Sequence, residues 1–358
     1  MRIARVALPV LLAAFACDHP TPPEPGAYGP NGPFSTAFPR RLTFNPGQDL
    51  TPAWLPDGSG IIYQFQRLDE PDFDRCLGIL PAAGGVRREI CNPNPKSADS
   101  TDVYGSPAVS AGGRLFYTRA SDFWRLHNFV PTYQSVVVAP LVTPLLVDSV
   151  KSLPYAVTPG GTMHYGVDNV RWLGDSAVMY VAEFVIYGSC ARCRDTVRTG
   201  IELARMDLQR VPGAVTSIPG TDSASSVALG AGDTIFYTVA GDSRVLRRTL
   251  GTGDTATVWD FGAAGIARDV AVRGRMLYAV VGGVVSYQHD SFYGPIQRDG
   301  GGTVYAVDLS AATSSPITLS DRLYRHIALS PDGRFLVAEG YDLVGAPMPA
   351  DLWLIAVP

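Results

Sequence analysis

A turn motif written over and over constrains this chain more than any other feature. Pro52-Ala-Trp-Leu-Pro-Asp-Gly-Ser-Gly-Ile-Ile-Tyr63 and Ile327-Ala-Leu-Ser-Pro-Asp-Gly-Arg-Phe-Leu-Val337 each join two apolar runs through Pro-Asp-Gly. Pro56 or Pro331 presets φ for the second position of a type I turn, the aspartate tolerates the third, and Gly58 or Gly333 takes the left-handed position that returns the chain as a hairpin. Four weaker copies follow the same plan: Ala108 to Tyr117, Val170 to Tyr180, Val227 to Tyr237 and Asp269 to Tyr278.

The copies end at Tyr63, Tyr117, Tyr180, Tyr237, Tyr278 and Val337, at spacings of 41 to 63 residues. A third β-rich stretch follows each hairpin, at 76–80, 134–141, 201–208, 244–250, 303–309 and 351–357. A fourth follows in several, at 87–91, 214–219, 255–261 and 315–320. Four antiparallel strands per unit, repeated six times, predict an all-β fold: a six-bladed β-propeller of four-stranded antiparallel blades. With 37 glycines and 29 prolines in 358 residues, a helical bundle is set aside. The last unit lacks its fourth strand, whereas a spare one, Arg40-Arg-Leu-Thr-Phe44, precedes the first. Pairing the two is expected to close the ring with an N-terminal strand and remove an exposed edge. One domain from 40 to 358 follows. Two separate β-sandwiches are the competing reading, and they leave the six-fold phase unexplained.

The stretch RRLTFNPGQDLTPAWLPDGSGIIY, with its counterpart near the end of the chain, resembles the Pro-Asp-type, WD-repeat-like blade of the TolB propeller family. The resemblance covers residues 40 to 358. It implies a propeller acting as a binding scaffold in a bacterial cell envelope.

The start of the chain reads as an address. Arg2 and Arg5 precede an apolar stretch from Val6 to Ala16, far short of the about 20 residues of a bilayer span. Residues 1–16 therefore read as a signal peptide. Ala14-Phe15-Ala16-Cys17 resembles a bacterial lipobox, which implies a diacylglycerol on Cys17 and a membrane-anchored lipoprotein. An ordinary signal peptidase cut after Ala16 is the alternative. Residues 17–39 are rich in proline and form an extended tether. The expected location is the cell envelope, periplasm-facing or at the cell surface.

In such blades the first-to-second and third-to-fourth turns share one face of the disc. The long segments, near 65–75, 119–133, 183–200, 283–302 and 339–350, fall on the other, as do those near 92–105 and 152–167. Recognition is placed there, because rigid scaffolds carry it on elaborated loops. Phe123, Trp124, Tyr187, Phe292, Tyr293 and Tyr341 are the loop-face binding candidates, either interface anchors or members of small loop cores. At the channel mouth the residues opening the first strands include Thr51, Ser106, Asn169, Ser225, Arg268 and His326. The binding candidates there are Asp168, Asn169, Arg268, Asp269, Arg325 and His326, holding either a small ligand or ordered water.

Five cysteines less Cys17 leave four, an even number in an exported protein, which suggests two disulfides. Cys76 and Cys91 flank a turn centred between Ala83 and Gly84 that sets them opposite each other. Cys190 and Cys193 form Cys-Ala-Arg-Cys, read as a structural clip. The five histidines lack paired metal-ligand spacing, and no nucleophile elbow or phosphate loop occurs. No catalytic residue, metal or cofactor is assigned. The net charge of −4 argues against nucleic acid. The expected partners are the membrane, through the anchor, and an envelope protein, peptide or glycan, bound by a monomer. A small enzyme of the lactonase or lyase kind, with its site at the channel mouth, is the alternative.

Overall fold

The repeated turns form as their residues dictate. A computed structural model describes residues 38–43, 47–66, 75–91, 100–125, 128–142, 150–152, 162–187, 196–209, 215–283, 289–290, 294–295, 301–320, 322–342 and 350–358. In the first motif the Leu55 amide donates to Gly60 and the Gly58 amide back to Leu55, at 2.8 and 2.9 Å. The last motif repeats this through Ser330, Phe335 and Gly333. Gly58 and Gly333 sit at φ 72° and 74°, a region open to glycine at little steric cost. The weaker copies lack the Pro-Asp-Gly tripeptide, but each of their turns holds a glycine of positive φ: Gly113, Gly174, Gly232 and Gly274.

Each hairpin leads into an antiparallel meander, and the result is an all-β propeller with four-stranded antiparallel blades. Among the described residues four four-stranded sheets stand alone, beside a two-stranded pair of His289–Asp290 with Gly294–Pro295. One contains Thr162–Leu173, Ala177–Tyr187, Thr196–Asp207 and Val215–Ser217. The next contains Ala224–Leu229, Thr234–Val239, Arg244–Thr249 and Thr255–Asp260. A third contains Ile266–Arg273, Met276–Gly282, Thr303–Asp308 and Thr313–Pro316. The fourth combines Arg322–Leu329, Phe335–Asp342 and Asp351–Ala356 with Arg40–Arg41. The expected first two units are not separate. Asp49–Trp54 to Arg88–Ile90 and Ser100–Val109 to Val150–Ser152 share one eight-stranded sheet, joined by a single parallel pair, Arg75 with Val103.

The first strands touch one another in chain order, and Arg322–Leu329 in turn touches Asp49–Trp54, so the contacts run in a cycle. The seam is the one expected from the spare strand. Arg40 pairs with Leu354 and Arg41 with Trp353. The Leu42 amide continues the ladder to the Leu352 carbonyl at 2.7 Å, and Arg41 reaches Asp351 at 2.5 Å.

Packing follows the alternation of each strand. One side of a sheet faces the sheet before it and the other side the sheet after. Ala204, Met206 and Leu208 pack with Phe116 and Val138, while Leu203 on the opposite side packs with Val227, Ile235 and Tyr237. Tyr63, Tyr117, Tyr180, Tyr237 and Tyr278, which close the hairpin motifs, are all buried. Trp54 and Trp172 occupy the same place in the repeat, and each indole donates 3.0 Å to a carbonyl on the preceding first strand, of Ala328 and Ala108.

Two expectations need correcting. The segment 119–133 is mostly ladder rather than loop: Arg114–Arg125 and Asn128–Pro140 pair as far as Arg125 with Asn128, because aromatic and β-branched residues continue through it. In the same way 183–200 is strand as far as Tyr187 and again from Thr196, and strands already begin at Ser100 and Thr162. The fourth strand of the fifth meander is Thr313–Pro316, earlier than the expected 315–320.

Candidate functional site

Every first strand carries one extra residue near the channel. Register shifts fall at Leu50/Ala53, Gly105/Ala108, Asp168/Arg171, Ala224/Ser226, Ala267/Asp269 and Arg325/Ala328. These β-bulges coincide with the positions expected to open the strands, which they interrupt instead. Thr51, Ser106, Asn169 and His326 sit in the bulges at φ between 46° and 51°. A non-glycine residue held there costs on the order of 1–3 kcal/mol, so surrounding contacts must hold it.

Those contacts are charged. The Glu339 side chain is completely buried. Its Oε1 accepts the Thr51 amide at 2.5 Å and faces His326 Nδ1 at 2.5 Å. Its Oε2 accepts Arg325 Nε and the Tyr341 hydroxyl, both at 3.1 Å. The Arg325 guanidinium also donates to the Tyr341 hydroxyl and lies 4.6 Å from the centre of that ring. On its far side His326 Nε2 lies 3.2 Å from Asp168 Oδ2, and Asp168 Oδ1 accepts the Asn169 amide at 2.7 Å.

A second cluster adjoins the first. Asp269 accepts the Ile327 amide at 2.6 Å, the Val270 amide at 2.8 Å, Asn169 Nδ2 at 3.2 Å and the Ser226 hydroxyl. Asn169 Oδ1 accepts the Val227 amide at 3.1 Å. Side chains from successive sheets thus satisfy the amides that the bulges turn inward.

The electrostatics follow from this pairing. Burial alone would raise the Glu339 carboxyl, but the His326 and Arg325 charges outweigh it and bring it down to about 2. Burial pushes Asp168 the same way, and His326, with a smaller contribution from Arg325, likewise lowers it to about 2. Burial disfavours the His326 cation, yet Glu339 and Asp168 hold it protonated well above the usual imidazole range. Burial pulls Arg171 down, and Asp269 and Asp168 partly offset this. The side chains leave a cavity of about 20 Å³ lined by Thr51, Ser106, Asp168, Asn169, Arg171 and His326 among others. It has room for about one water molecule.

Of the channel candidates, Asp168, Asn169, Asp269, Arg325 and His326 converge. Arg268 instead turns aside, its guanidinium donating 2.7 Å to the Gly283 carbonyl. Tyr341, expected on the loop face, belongs to the channel cluster. Tyr104, one of the rings in the long segments, is buried against Tyr117 at 5.2 Å between ring centres. Phe123, Trp124 and Tyr187 lie in strands, with their side chains outside the described residues, as are Phe292, Tyr293, Cys17, Cys190 and Cys193. Cys76 and Cys91 are joined by a disulfide. Glu339, Arg171 and Ser226 were not foreseen. The available signal for Glu339 was a lone acid in the apolar run Phe335-Leu-Val-Ala-Glu339.

No family model and no curated protein matches the chain. Solved structures do. A calcium-binding protein, regucalcin, from Agrobacterium tumefaciens superposes with a TM-score of 0.56 at 13% identity, over 89% of this chain and 94% of that one. A luciferin-regenerating enzyme does so with a TM-score of 0.51 at 8% identity, over 87% and 91%. TolB from Acinetobacter baumannii gives 0.46 at 13% identity, over 90% of this chain and 66% of that one. At such identities the likeness shows the fold alone.

Proposed function

We propose that this protein is an exported, lipid-anchored lipoprotein of the cell envelope whose six-bladed propeller is a scaffold for an envelope protein, peptide or glycan. The count of six treats the eight-stranded sheet as two blades, since a single parallel pair joins its two antiparallel halves. One observation carries the scaffold reading: among the described residues, the channel mouth is filled by its own side chains. Glu339 is fully engaged by protein donors, both His326 ring nitrogens face carboxylates, and the cavity left holds about one water molecule. A protonated imidazole with both nitrogens so placed is neither a base nor a metal ligand. Binding then falls to the face built from the long segments.

The exposure of Asp168, 44% beside His326, favours a second reading, a small lactonase or lyase with its site at the channel mouth. Two experiments decide. Metabolic labelling with palmitate is expected to mark the wild type and not Cys17→Ala; an unlabelled, freely soluble wild type overturns the anchor. Photo-crosslinking in the native envelope is expected to yield a partner that Phe123→Ala/Trp124→Ala loses and Asp168→Ala keeps. A hydrolytic or eliminating activity that Asp168→Ala abolishes while partner capture persists establishes the enzyme instead.

A further inference from the structure

Away from the channel, the sheet beginning at Thr162 and the sheet beginning at Ala224 part at their outer strands. Deep between them Leu203, Ile218, Ile235, Leu246 and Leu250 close the contact. Further out the surfaces diverge into a groove of about 420 Å³, within the range of small-molecule sites. Its floor is Ile218, Pro219 and Leu250; Arg205, Asp207 and Thr216 come from one sheet and Arg248 from the other. Arg205 pairs in register with Thr216, Asp207 ends one third strand and Leu250 directly follows the end of another. The groove therefore sits by the short turns, on the face away from the long segments.

Arg248 is half-buried, and no acidic side chain among the described residues holds it. Its Nη1 donates 3.0 Å to the Thr255 hydroxyl. Gly220 and Gly253 flank the guanidinium so closely that a Cβ on Gly253 would come within 3.1 Å of Nη2. Positive φ at both, 72° and 78°, reserves these sites for glycine. The guanidinium is thus fixed in place while its Nη2 donors stay open. Arg205 faces the same groove from an exposed position. Asp207 accepts the Gln209 amide at 2.9 Å, leaving two guanidiniums against one engaged carboxylate. A preset cation beside an apolar floor suits a ligand that carries an anionic oxygen pair on an apolar body.

We propose that this groove binds a small oxyanion, a carboxylate or phosphate held between Arg205 and Arg248, with an apolar body resting on Ile218, Pro219 and Leu250. The site is independent of the scaffold role and of the lipid anchor.

Titration calorimetry on the full chain tests it with benzoate, phenyl phosphate and neutral benzyl alcohol. Benzoate or phenyl phosphate is expected to bind, and the tighter of the two identifies the headgroup; benzyl alcohol is expected to bind at least about tenfold more weakly, since the charge supplies the specificity. Arg248→Gln and Arg205→Gln should each weaken binding about tenfold, Arg248→Lys should restore part of it, and Arg247→Gln should change nothing. Affinity should fall with added salt. Equal affinity for the neutral probe, no binding of either anion, or binding undiminished in folded Arg205→Gln/Arg248→Gln protein overturns the proposal.

Discussion

The channel mouth and the outer groove both gather arginines, and they differ in what answers the charge. At the mouth Arg325 shares the buried Glu339 with His326, and Asp168 completes the line. In the groove Arg248 has a hydroxyl and two glycines for neighbours. Charges answered from within hold sheets together; a charge braced but unanswered is free to meet something from outside. Burial sets the stakes of each. Removing the completely buried Glu339 carboxylate strands two largely buried cations, whereas a partly solvated guanidinium costs little to keep or to lose.

The sharpest break in this contrast is Glu339→Ala. It leaves Arg325 and His326 without their shared carboxylate and the Thr51 amide without its acceptor, so a loss of about 3–5 kcal/mol is expected in urea unfolding. A loss under about 1 kcal/mol would erase the distinction. Asp269→Ala should follow at about 2–4 kcal/mol, because the buried Ile327 amide loses its acceptor, the Val270 amide keeps only the Ser226 hydroxyl, and Asn169 Nδ2 loses a partner.

Acid should probe the same region without mutation. Glu339 and Asp168, lowered to about 2, contribute stability above their unfolded values near 4 and lose it as pH falls toward 2. His326 is raised, so its contribution is complete below about 6.5 and fades as pH climbs through its folded value. Melting temperature should therefore peak at roughly pH 4.5 to 6.5, and Glu339→Gln should flatten both flanks. The smallest effect expected is that of Arg248→Gln, under about 1 kcal/mol and insensitive to pH, which a melting scan would check.

Much of the architecture could be read in advance because turn chemistry is local. Pro-Asp-Gly names its own backbone, and the glycines that survive in the weaker copies take the same positive φ. Cys76 and Cys91 were placed opposite each other by counting from the turn, and they are bonded. The seam was legible as arithmetic, a strand missing at one end and spare at the other. The site was legible only in part. The ring positions Thr51, Ser106, Asn169 and His326 mark where the channel opens, but nothing in their spacing says that each lies in a bulge. Glu339 escaped notice because its role depends on Thr51, 288 residues away. Long-range pairing of that kind leaves no local pattern. Arg248 was equally invisible, since its isolation comes from what the fold does not bring near it.

The sheet that joins Arg40–Arg41 to Asp351–Ala356 has a consequence for how the molecule is made. A ribosome makes the first of these strands about 300 residues before the second, so through that stretch of synthesis the ring has two raw edges and no way to seal them. Such an arrangement makes the newborn protein a client for holding factors that cover bare strands until the second partner arrives.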